Sequence, residues 1–261
     1  LSNVRMRLPF EGVAAFYRAL HAGSTGDAQN PMFYVSNSAW NMYDLLSDFL
    51  NLHEIPIGPV IFLRNWGISK EGIAPLNPSQ HKLEYIRRIL ETFTDLPFIL
   101  IGDSGEQDPE IYTEAVRLHP NRIMAVYIRN VSRKPERPEQ LKMLAEQVLA
   151  AGSTMILAET TVPLAEHAVA QGWMQASRLP EVQAEKDADA APPSPMEKLL
   201  GEDEPKAPAP TVVVPGATAA ETAQAVEEGA IETALEGGDA QAEETPTVIV
   251  DPTEQPMEKK P

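Results

Sequence analysis

The hydrophobic positions along the chain follow two alternating spacings. The short unbroken apolar run at 98–101 is typical of a strand that is buried on both faces of a parallel sheet. Mainly apolar segments at 32–35, 60–63, 122–128 and 154–158 predict four further strands. Between these runs, apolar residues recur three and four positions apart. This spacing predicts helices after Ser38, a candidate N-cap, and over 11–21, 80–93, 109–119, 138–150 and 162–171. Strands that alternate with helices of this length predict βαβ units, so the expected fold class is α/β with a parallel sheet.

The composition changes abruptly near residue 180. Every Trp, Tyr, Phe and His lies before that point, and the acidic excess is concentrated after it, where 19 acidic residues face 5 basic ones. Such a segment buries too little apolar surface to offset its ordering entropy. We therefore predict an α/β domain over 1–179 and a disordered Ala/Pro/Glu-rich tail over 180–261.

Two short β-branched segments, 211–215 and 247–252, interrupt the tail. Their similarity is consistent with linear motifs that bind a protein partner by adding a strand to a sheet edge. The alternative interpretation is that they are sporadic apolar clusters in a disordered segment. The sequence leaves both interpretations open.

Composition also restricts the classes of partner and compartment. The chain has no cysteine and a formal net charge of −17, and it has no apolar run of the ~18 residues that a membrane span requires. The acidic balance argues against nucleic-acid binding, because phosphate backbones are held by clustered Lys and Arg. We expect a cytoplasmic protein that binds no nucleic acid and that contacts membranes only peripherally.

Two carboxylates follow the apolar run at 98–101. Asp103 and Asp108, with Gly102 and Gly105 between and beside them, suit Mg²⁺, which prefers oxygen ligands and is usually held by one or two carboxylates plus a substrate phosphate. Asp108 precedes Pro109, so it is also a good candidate for an ordinary helix N-cap. No capping rule explains Asp103.

Further polar residues occur where other strands end or helices begin. Ser36 and Asn37 follow the run at 32–35, and Lys82 lies near the start of a helix. A hydroxyl and backbone N–H groups can bind a phosphate, and a lysine can neutralise its oxygens. Ser36 could equally be part of a turn and Lys82 a solvated lysine, but together with the carboxylates they suggest a phosphoryl-transfer site.

Four segments carry a family resemblance: 34–38, 81–84, 98–112 and 128–131. They resemble the catalytic domain of the actin-patch-protein type of phosphatidate phosphatase, in the haloacid dehalogenase superfamily. The block Gly102-Asp103-Ser104-Gly105-Glu106 is the most specific part of the resemblance.

The resemblance implies Mg²⁺-dependent hydrolysis of phosphatidate to diacylglycerol and phosphate. It implies that Ser36 and Asn37 bind the substrate phosphate, that Lys82 is the catalytic basic residue, and that Asp103 and Asp108 bind Mg²⁺. The lipid substrate would bring the protein to a membrane surface, with loops at 64–70 and 133–137 as candidate contacts. Both loops could equally be ordinary solvated loops.

The family's Asp-x-Asp-x-Thr motif, whose first Asp forms the aspartyl phosphate, is absent from the sequence. The resemblance places it before Phe10, so we expect an N-terminally truncated chain that is inactive by itself. The missing strand would lie between those ending near Ser36 and Asp103, which predicts two unpaired strand edges. The alternative hypothesis is a non-catalytic α/β scaffold whose acidic tail recruits partners.

Overall fold

The computed structural model describes residues 9–39, 42–58, 61–64, 78–190 and 247–250. In these ranges the strands are β1 (Met32–Ala39), β2 (Ile61–Arg64), β3 (Phe98–Asp103), β4 (Ile123–Arg129), β5 (Thr154–Ala158) and β6 (Thr247–Val250). The helices are α1 (Val13–Ala22), α2 (Tyr43–Leu52), α3 (Pro78–Thr92), α4 (Asp108–Leu118), α5 (Arg137–Ala150), α6 (Val162–Ala170) and α7 (Leu179–Asp189), with a 3₁₀ turn at Ala176–Arg178.

The described strands form one sheet in the order β2-β1-β6-β3-β4-β5, and every neighbouring pair is parallel. The predicted α/β class with a parallel sheet is therefore confirmed. Because all strands run the same way, their carboxyl ends lie along one edge of the sheet, where α/β proteins commonly bind ligands.

The sheet is covered on both faces, because neighbouring residues of a strand face opposite sides. In β3, Ile99 and Ile101 pack with α1, α2, α6 and α7 on one face. Phe98 and Leu100 pack with α3, α4 and α5 on the other face. An unbroken apolar run is therefore what this strand requires, which is why periodicity identified it from the sequence.

The expectation for Ser38 is wrong. The backbone stays extended through Ala39, whose Cα is paired with that of Arg64 in β2, and the N-cap of α2 is Met42. Sheet pairing thus carries β1 past Ser38, and the helix begins later than the sequence pattern indicates.

Ordered structure also extends past the predicted domain boundary. Residues 180–189, which we expected in the disordered tail, belong to α7, where Val182 is fully buried. Two acidic side chains of α7 cap the start of α1: the Gly12 N–H donates to Asp189 Oδ2 at 2.9 Å, and the Ala15 N–H donates to Glu185 Oε1 at 2.7 Å. Gly12, the N-cap of α1, makes no side-chain capping bond, so these carboxylates satisfy N–H groups that would otherwise lack partners.

A second tail segment also forms regular structure. Thr247–Val250 is β6, and it pairs with β1 on one side and with β3 on the other. The two edges that we expected to be unpaired are therefore hydrogen-bonded to this segment. The rest of the predicted tail, 191–246 and 251–261, lies outside the described residues.

Candidate functional site

Asp103 is the last residue of β3 and lies at the carboxyl edge of the sheet. Its side chain is buried, and its Oδ1 accepts a hydrogen bond of 2.6 Å from the Gly105 backbone N–H. A Cβ atom at Gly105 would come within 2.9 Å of the same oxygen, so a larger residue there would push the carboxylate aside. This contact fixes the carboxylate at the point where the strand becomes a loop.

The structure joins Lys82 and Asp108 in a buried ion pair. Lys82 Nζ donates to Asp108 Oδ1, and the two side chains are only 1% and 0% exposed. Lys82 lies in the first turns of α3 and Asp108 begins α4, so the pair connects two helices that cover the same face of the sheet. Lys82 is therefore not a solvated residue of a helix surface.

Asp108 does not act as an N-cap. The N-cap of α4 is Gln107, and Asp108 is the first helical residue. Besides the bond to Lys82, its Oδ2 accepts a long hydrogen bond of 3.4 Å from the Asp103 backbone N–H. The carboxylate thus points back towards the end of β3 rather than along its own helix, because a buried lysine offers it a charged partner.

Gly102 makes this approach possible. A Cβ atom at residue 102 would lie 2.2 Å from Asp108 Oδ2 and 2.9 Å from Asp108 Cβ. Any side chain would have to displace the start of α4, since the Asp108 Cβ atom moves only with its backbone. The glycine is thus required for steric reasons.

Ser104 is a buried contact point that sequence reasoning missed. Its hydroxyl donates to Asn130 Oδ1 at 2.9 Å and accepts from the backbone N–H groups of Val131 and Ser132 at 2.9 and 3.0 Å. These bonds tie the loop after β3 to the loop after β4. The only sequence signal was the position of Ser104 inside the Gly-Asp-Ser-Gly block.

Arg137 holds the same loop from the other side. Its guanidinium donates to the carbonyl oxygens of Ser104 at 3.3 Å and of Glu106 at 3.0 Å, and it also forms an ion pair with Glu110. Arg137 is buried, so this member of the 133–137 run is not a surface charge for a membrane. The candidate loop at 65–70 lies outside the described residues.

Arg129, at the end of β4, is a further residue that the sequence did not single out. Its Cα is paired with that of Asp103, and its guanidinium forms an ion pair with Glu11 and donates to Thr161 Oγ1 at 3.2 Å. It also lies 5.1 Å above the Phe10 ring. Arg129 thus fastens the segment before α1 to the edge of the sheet that carries Asp103.

Ser36 lies in β1 at the same edge and is fully buried. Tyr34 of β1 and Ile101 of β3 are both paired with Val250, and Ser36 and Asp103 each follow two residues later at the same edge. One strand separates Tyr34 from Ile101, which corresponds to about 10 Å between their Cα atoms. Asn37 follows in β1, with its side chain outside the described set.

The fit of these residues to a metal ion rests on Asp103. Among the described residues, no group of three or more His, Asp or Glu side chains is arranged to hold a metal. One buried, oriented carboxylate suits Mg²⁺ nonetheless, because that ion keeps several waters and uses few protein ligands. Asp108 is already paired with Lys82, so its predicted role as a metal ligand stays a prediction.

Comparison with known proteins links this geometry to a family. Residues 1–130 match the family described as "Phosphatidate phosphatase APP1, catalytic domain". The chain is 37% identical over 119 residues to "Phosphatidate phosphatase APP1" of Saccharomyces cerevisiae, which covers 46% of this chain and 19% of the relative. It is 31% identical over 122 residues to an uncharacterized protein of Schizosaccharomyces pombe, again 46% of this chain and 19% of the relative.

Residues 1–130 are thus similar in sequence to an APP1-type catalytic domain. This confirms the resemblance. The APP1-type segment contains all five predicted site residues, Ser36, Asn37, Lys82, Asp103 and Asp108. Strand β4 ends just inside residues 1–130, whereas strands β5 and β6 and helices α5 to α7 lie after this segment.

Three further findings concern the length of the relatives, the solved structures and membrane-spanning helices. The chain spans about a fifth of the length of the curated relatives it matches, and no solved structure matches it. In the described part of the chain, no helix combines the length and apolar character needed to cross a bilayer.

Proposed function

We propose that the domain hydrolyses phosphomonoesters with the help of Mg²⁺, and that its substrate is phosphatidate. The observation that carries the proposal is the buried Lys82–Asp108 pair beside the oriented Asp103 carboxylate, at the carboxyl edge of a parallel sheet. These residues lie in the segment that matches the catalytic domain of a phosphatidate phosphatase.

Each residue has a defined task in this proposal. Lys82, held by Asp108, stabilises the negative charge of the transferring phosphoryl group, and the Ser36 hydroxyl and the Asn37 backbone N–H donate to the phosphate oxygens. Asp103 holds Mg²⁺, and Asp108 contributes through water. When bound, the ion neutralises phosphate oxygens.

The attacking group is a carboxylate of the Asp-x-Asp-x-Thr motif, which these 261 residues do not contain. Positioning and charge stabilisation assist a nucleophile but do not replace it. We therefore expect no turnover by this chain alone. A chain extended upstream through an Asp-x-Asp strand should hydrolyse phosphatidate and should trap beryllofluoride on its first Asp.

The test uses the extended chain with phosphatidate in detergent micelles and increasing Mg²⁺. Asp103→Asn keeps the side-chain size but removes the charge that Mg²⁺ requires, so turnover should fall by at least about a hundredfold and the Mg²⁺ requirement should rise. Asp95→Asn is the matched control, since Asp95 is an exposed aspartate just before β3. Activity of Asp103→Asn close to that of the control would contradict the metal assignment.

A second assay tests which substrate the domain prefers. We expect phosphatidate to be preferred over an aryl phosphate because the family match names a lipid phosphatase. Equal rates on both, with the same loss in Asp103→Asn, would leave the phosphatase mechanism standing and overturn the lipid specificity.

A further inference from the structure

Arg137 is buried although the four residues before it, 133–136, are exposed. Only 9% of its side chain is exposed, and its guanidinium donates to the carbonyl oxygens of Ser104 at 3.3 Å and of Glu106 at 3.0 Å. The same guanidinium pairs with the Glu110 carboxylate, whose Oε2 accepts at 3.0 Å. It can bind a carboxylate and two carbonyl groups at once because its donors form a rigid, planar fork.

The Ser104 carbonyl belongs to the same peptide group as the Gly105 N–H. A trans peptide group is planar, so its C=O and its N–H point in opposite directions. Here the carbonyl accepts from Arg137 on one side, and the N–H donates to Asp103 Oδ1 at 2.6 Å on the other. One rigid group thus connects the guanidinium to the carboxylate at the end of β3.

The other hydrogen bonds of Ser104 leave this peptide group able to turn. The Ser104 N–H donates to the Arg129 carbonyl at 2.9 Å, and the hydroxyl is bound to the loop after β4. These bonds hold residue 104, but rotation about its Cα–C bond still turns the peptide group that follows. Gly105 offers little steric resistance to that rotation because it has no Cβ atom. The hydrogen bond from Arg137 to the carbonyl end of the group opposes it.

We propose that Arg137 is a positioning residue for the Asp103 carboxylate, and that it acts through the peptide group between residues 104 and 105. This inference rests on the proposed function for its consequence, which is that Arg137 sets how tightly Asp103 holds Mg²⁺. A side chain that is already oriented loses less conformational entropy on binding. A positive charge at the carbonyl also makes the N–H of the same group a stronger donor. Glu110 supplies the counter-ion that the buried guanidinium needs.

The first test follows the Gly105 amide in the full 261-residue chain, without metal. Arg137→Lys keeps the positive charge beside Glu110, but a single ammonium group cannot replace a fork that binds two carbonyls and a carboxylate. The Gly105 N–H should therefore lose its hydrogen bond to Asp103. We expect its proton resonance to move upfield and its exchange with solvent to accelerate by at least about tenfold. An unchanged Gly105 amide would overturn the proposal.

Arg117→Lys is the matched control for this measurement. Arg117 also pairs with a glutamate of α4, Glu114, at 2.6 Å, but 65% of its side chain is exposed. The control should leave the Gly105 amide unchanged. An equal change in both variants would mean that any lost arginine ion pair on α4 has this effect, which would contradict a specific action of Arg137.

A second variant covers the case in which Arg137→Lys does not fold. Arg137→Met/Glu110→Gln removes both charges of the ion pair, so no charge is left without its partner, and it also removes the donor to the Ser104 carbonyl. The Gly105 resonance should again move upfield. A double variant with the parent's Gly105 resonance would overturn the proposal.

The second test follows the Mg²⁺ requirement of the chain extended through the Asp-x-Asp strand. Arg137→Lys should raise the Mg²⁺ concentration for half-maximal turnover by at least about fivefold. Turnover at saturating Mg²⁺ should stay within about twofold of the parent, because the Asp103 carboxylate is still present. Mn²⁺ binding, measured by electron paramagnetic resonance without substrate, should weaken to the same extent. A changed Gly105 amide with unchanged metal affinity would overturn the link to the metal.

Val148→Ala controls for a general loss of stability in the second test. Val148 is fully buried near the other end of α5, so this change removes core packing far from the loop after β3. It should lower the melting temperature and leave the Mg²⁺ requirement unchanged. A Mg²⁺ requirement raised equally in Val148→Ala and Arg137→Lys would show that Arg137 acts only through stability, and would contradict positioning.

The outcomes separate this inference from the proposed function. If Asp103→Asn keeps full turnover, the metal assignment fails, and the Gly105 amide still decides whether Arg137 positions Asp103. If Asp103→Asn abolishes turnover while Arg137→Lys changes neither the Gly105 amide nor the Mg²⁺ requirement, the phosphatase stands and the positioning role is overturned.

Discussion

Two pairs of buried polar side chains lie on opposite faces of the sheet, and the two pairs satisfy their polar groups in different ways. Lys82 and Asp108 form a charged pair between α3 and α4 at the carboxyl edge. Tyr127 and His167 share a hydrogen bond of 2.8 Å between β4 and α6, in the core of the other face. Both pairs are almost completely buried, but only the first is an ion pair.

This difference in charge indicates a different role for each pair. Burial lowers the pKa of His167 to about 4, so the histidine is neutral at physiological pH and its bond with Tyr127 costs no charge desolvation. Lys82 and Asp108 form an ion pair in a place where an apolar pair of similar volume would stabilise the fold at least as well. A charge kept at that cost beside Asp103 is consistent with a role in binding an anion.

The largest expected effect comes from breaking the charged pair. Lys82→Met leaves the Asp108 carboxylate buried without its counter-ion and should lower the free energy of unfolding by about 3–5 kcal/mol. The double variant Lys82→Met/Asp108→Leu should recover most of that loss, because no uncompensated charge remains. Urea denaturation of Lys82→Met and of the double variant measures both free energies of unfolding. A double variant as unstable as Lys82→Met would mean that the Lys82–Asp108 pair itself stabilises the fold. It would contradict the contrast drawn between the charged pair and the neutral pair.

The neutral Tyr127–His167 pair should make the protein less stable in acid. The unfolded chain binds a proton at His167 near its ordinary pKa of 6.5, whereas the folded chain does so only near pH 4. The contribution is therefore complete above pH 6.5 and is lost as the pH falls from about 6.5 to about 4, a decrease of about 3 kcal/mol. The free energy of unfolding of His167→Gln should fall less steeply over this window. Identical pH slopes for the two proteins would rule out the assignment, since all other groups are common to both.

A smaller effect should come from the backbone that allows the charged pair to form. Gly102→Ala places a methyl group within 2.2 Å of Asp108 Oδ2 and should cost about 1–3 kcal/mol by displacing the start of α4. Gly152→Ala is a useful contrast, because Gly152 has a positive φ of 86° but its nearest neighbour would be 3.9 Å away. Gly152→Ala therefore measures backbone strain without a clash, and a Gly102→Ala protein as stable as the parent would show that the close approach is not a constraint.

The smallest effect is expected for the partly exposed contact between Glu185 and the start of α1. Glu185 accepts from the Ala15 N–H and pairs with Arg18 at 2.6 Å, with 23% of its side chain exposed. Glu185→Gln should reduce thermal stability by about 1 kcal/mol, the usual size of a helix-capping interaction. Glu146→Gln, at an exposed position of α5, serves as the control. Equal melting temperatures would show that the charge of Glu185 contributes nothing to the capping of α1.

Much of the fold followed from the sequence because it depends on local pattern. Thr154–Ala158 was predicted with the bounds it has in the structure, and the six predicted helices and the other four predicted strands were located to within a few residues. Asp103 was singled out as a candidate metal ligand because no capping rule explained a carboxylate there. Its roles, and those of Ser36, Asn37 and Lys82, stay predictions.

The sequence was less informative wherever a partner lies far away along the chain. Asp108 followed by Pro109 satisfies the rule for an N-cap, and only the approach of Lys82, 26 residues earlier, draws its carboxylate elsewhere. Residues 180–189 have the composition of a disordered segment, yet their acidic side chains cap a helix about 170 residues away. Capping of this kind leaves no local pattern except the glycine at the N-cap of α1.

The order of apolar and polar residues by itself determined the class of fold, the strands that are buried on both faces, and the edge of the sheet at which polar residues gather, because each depends on neighbours within a few positions. Only the tertiary structure decided that Lys82 and Asp108 are partners and that Thr247–Val250 lies between β1 and β3. The physical reason is that a buried charge and an unpaired strand edge must find partners, and the chain can supply these from any distance.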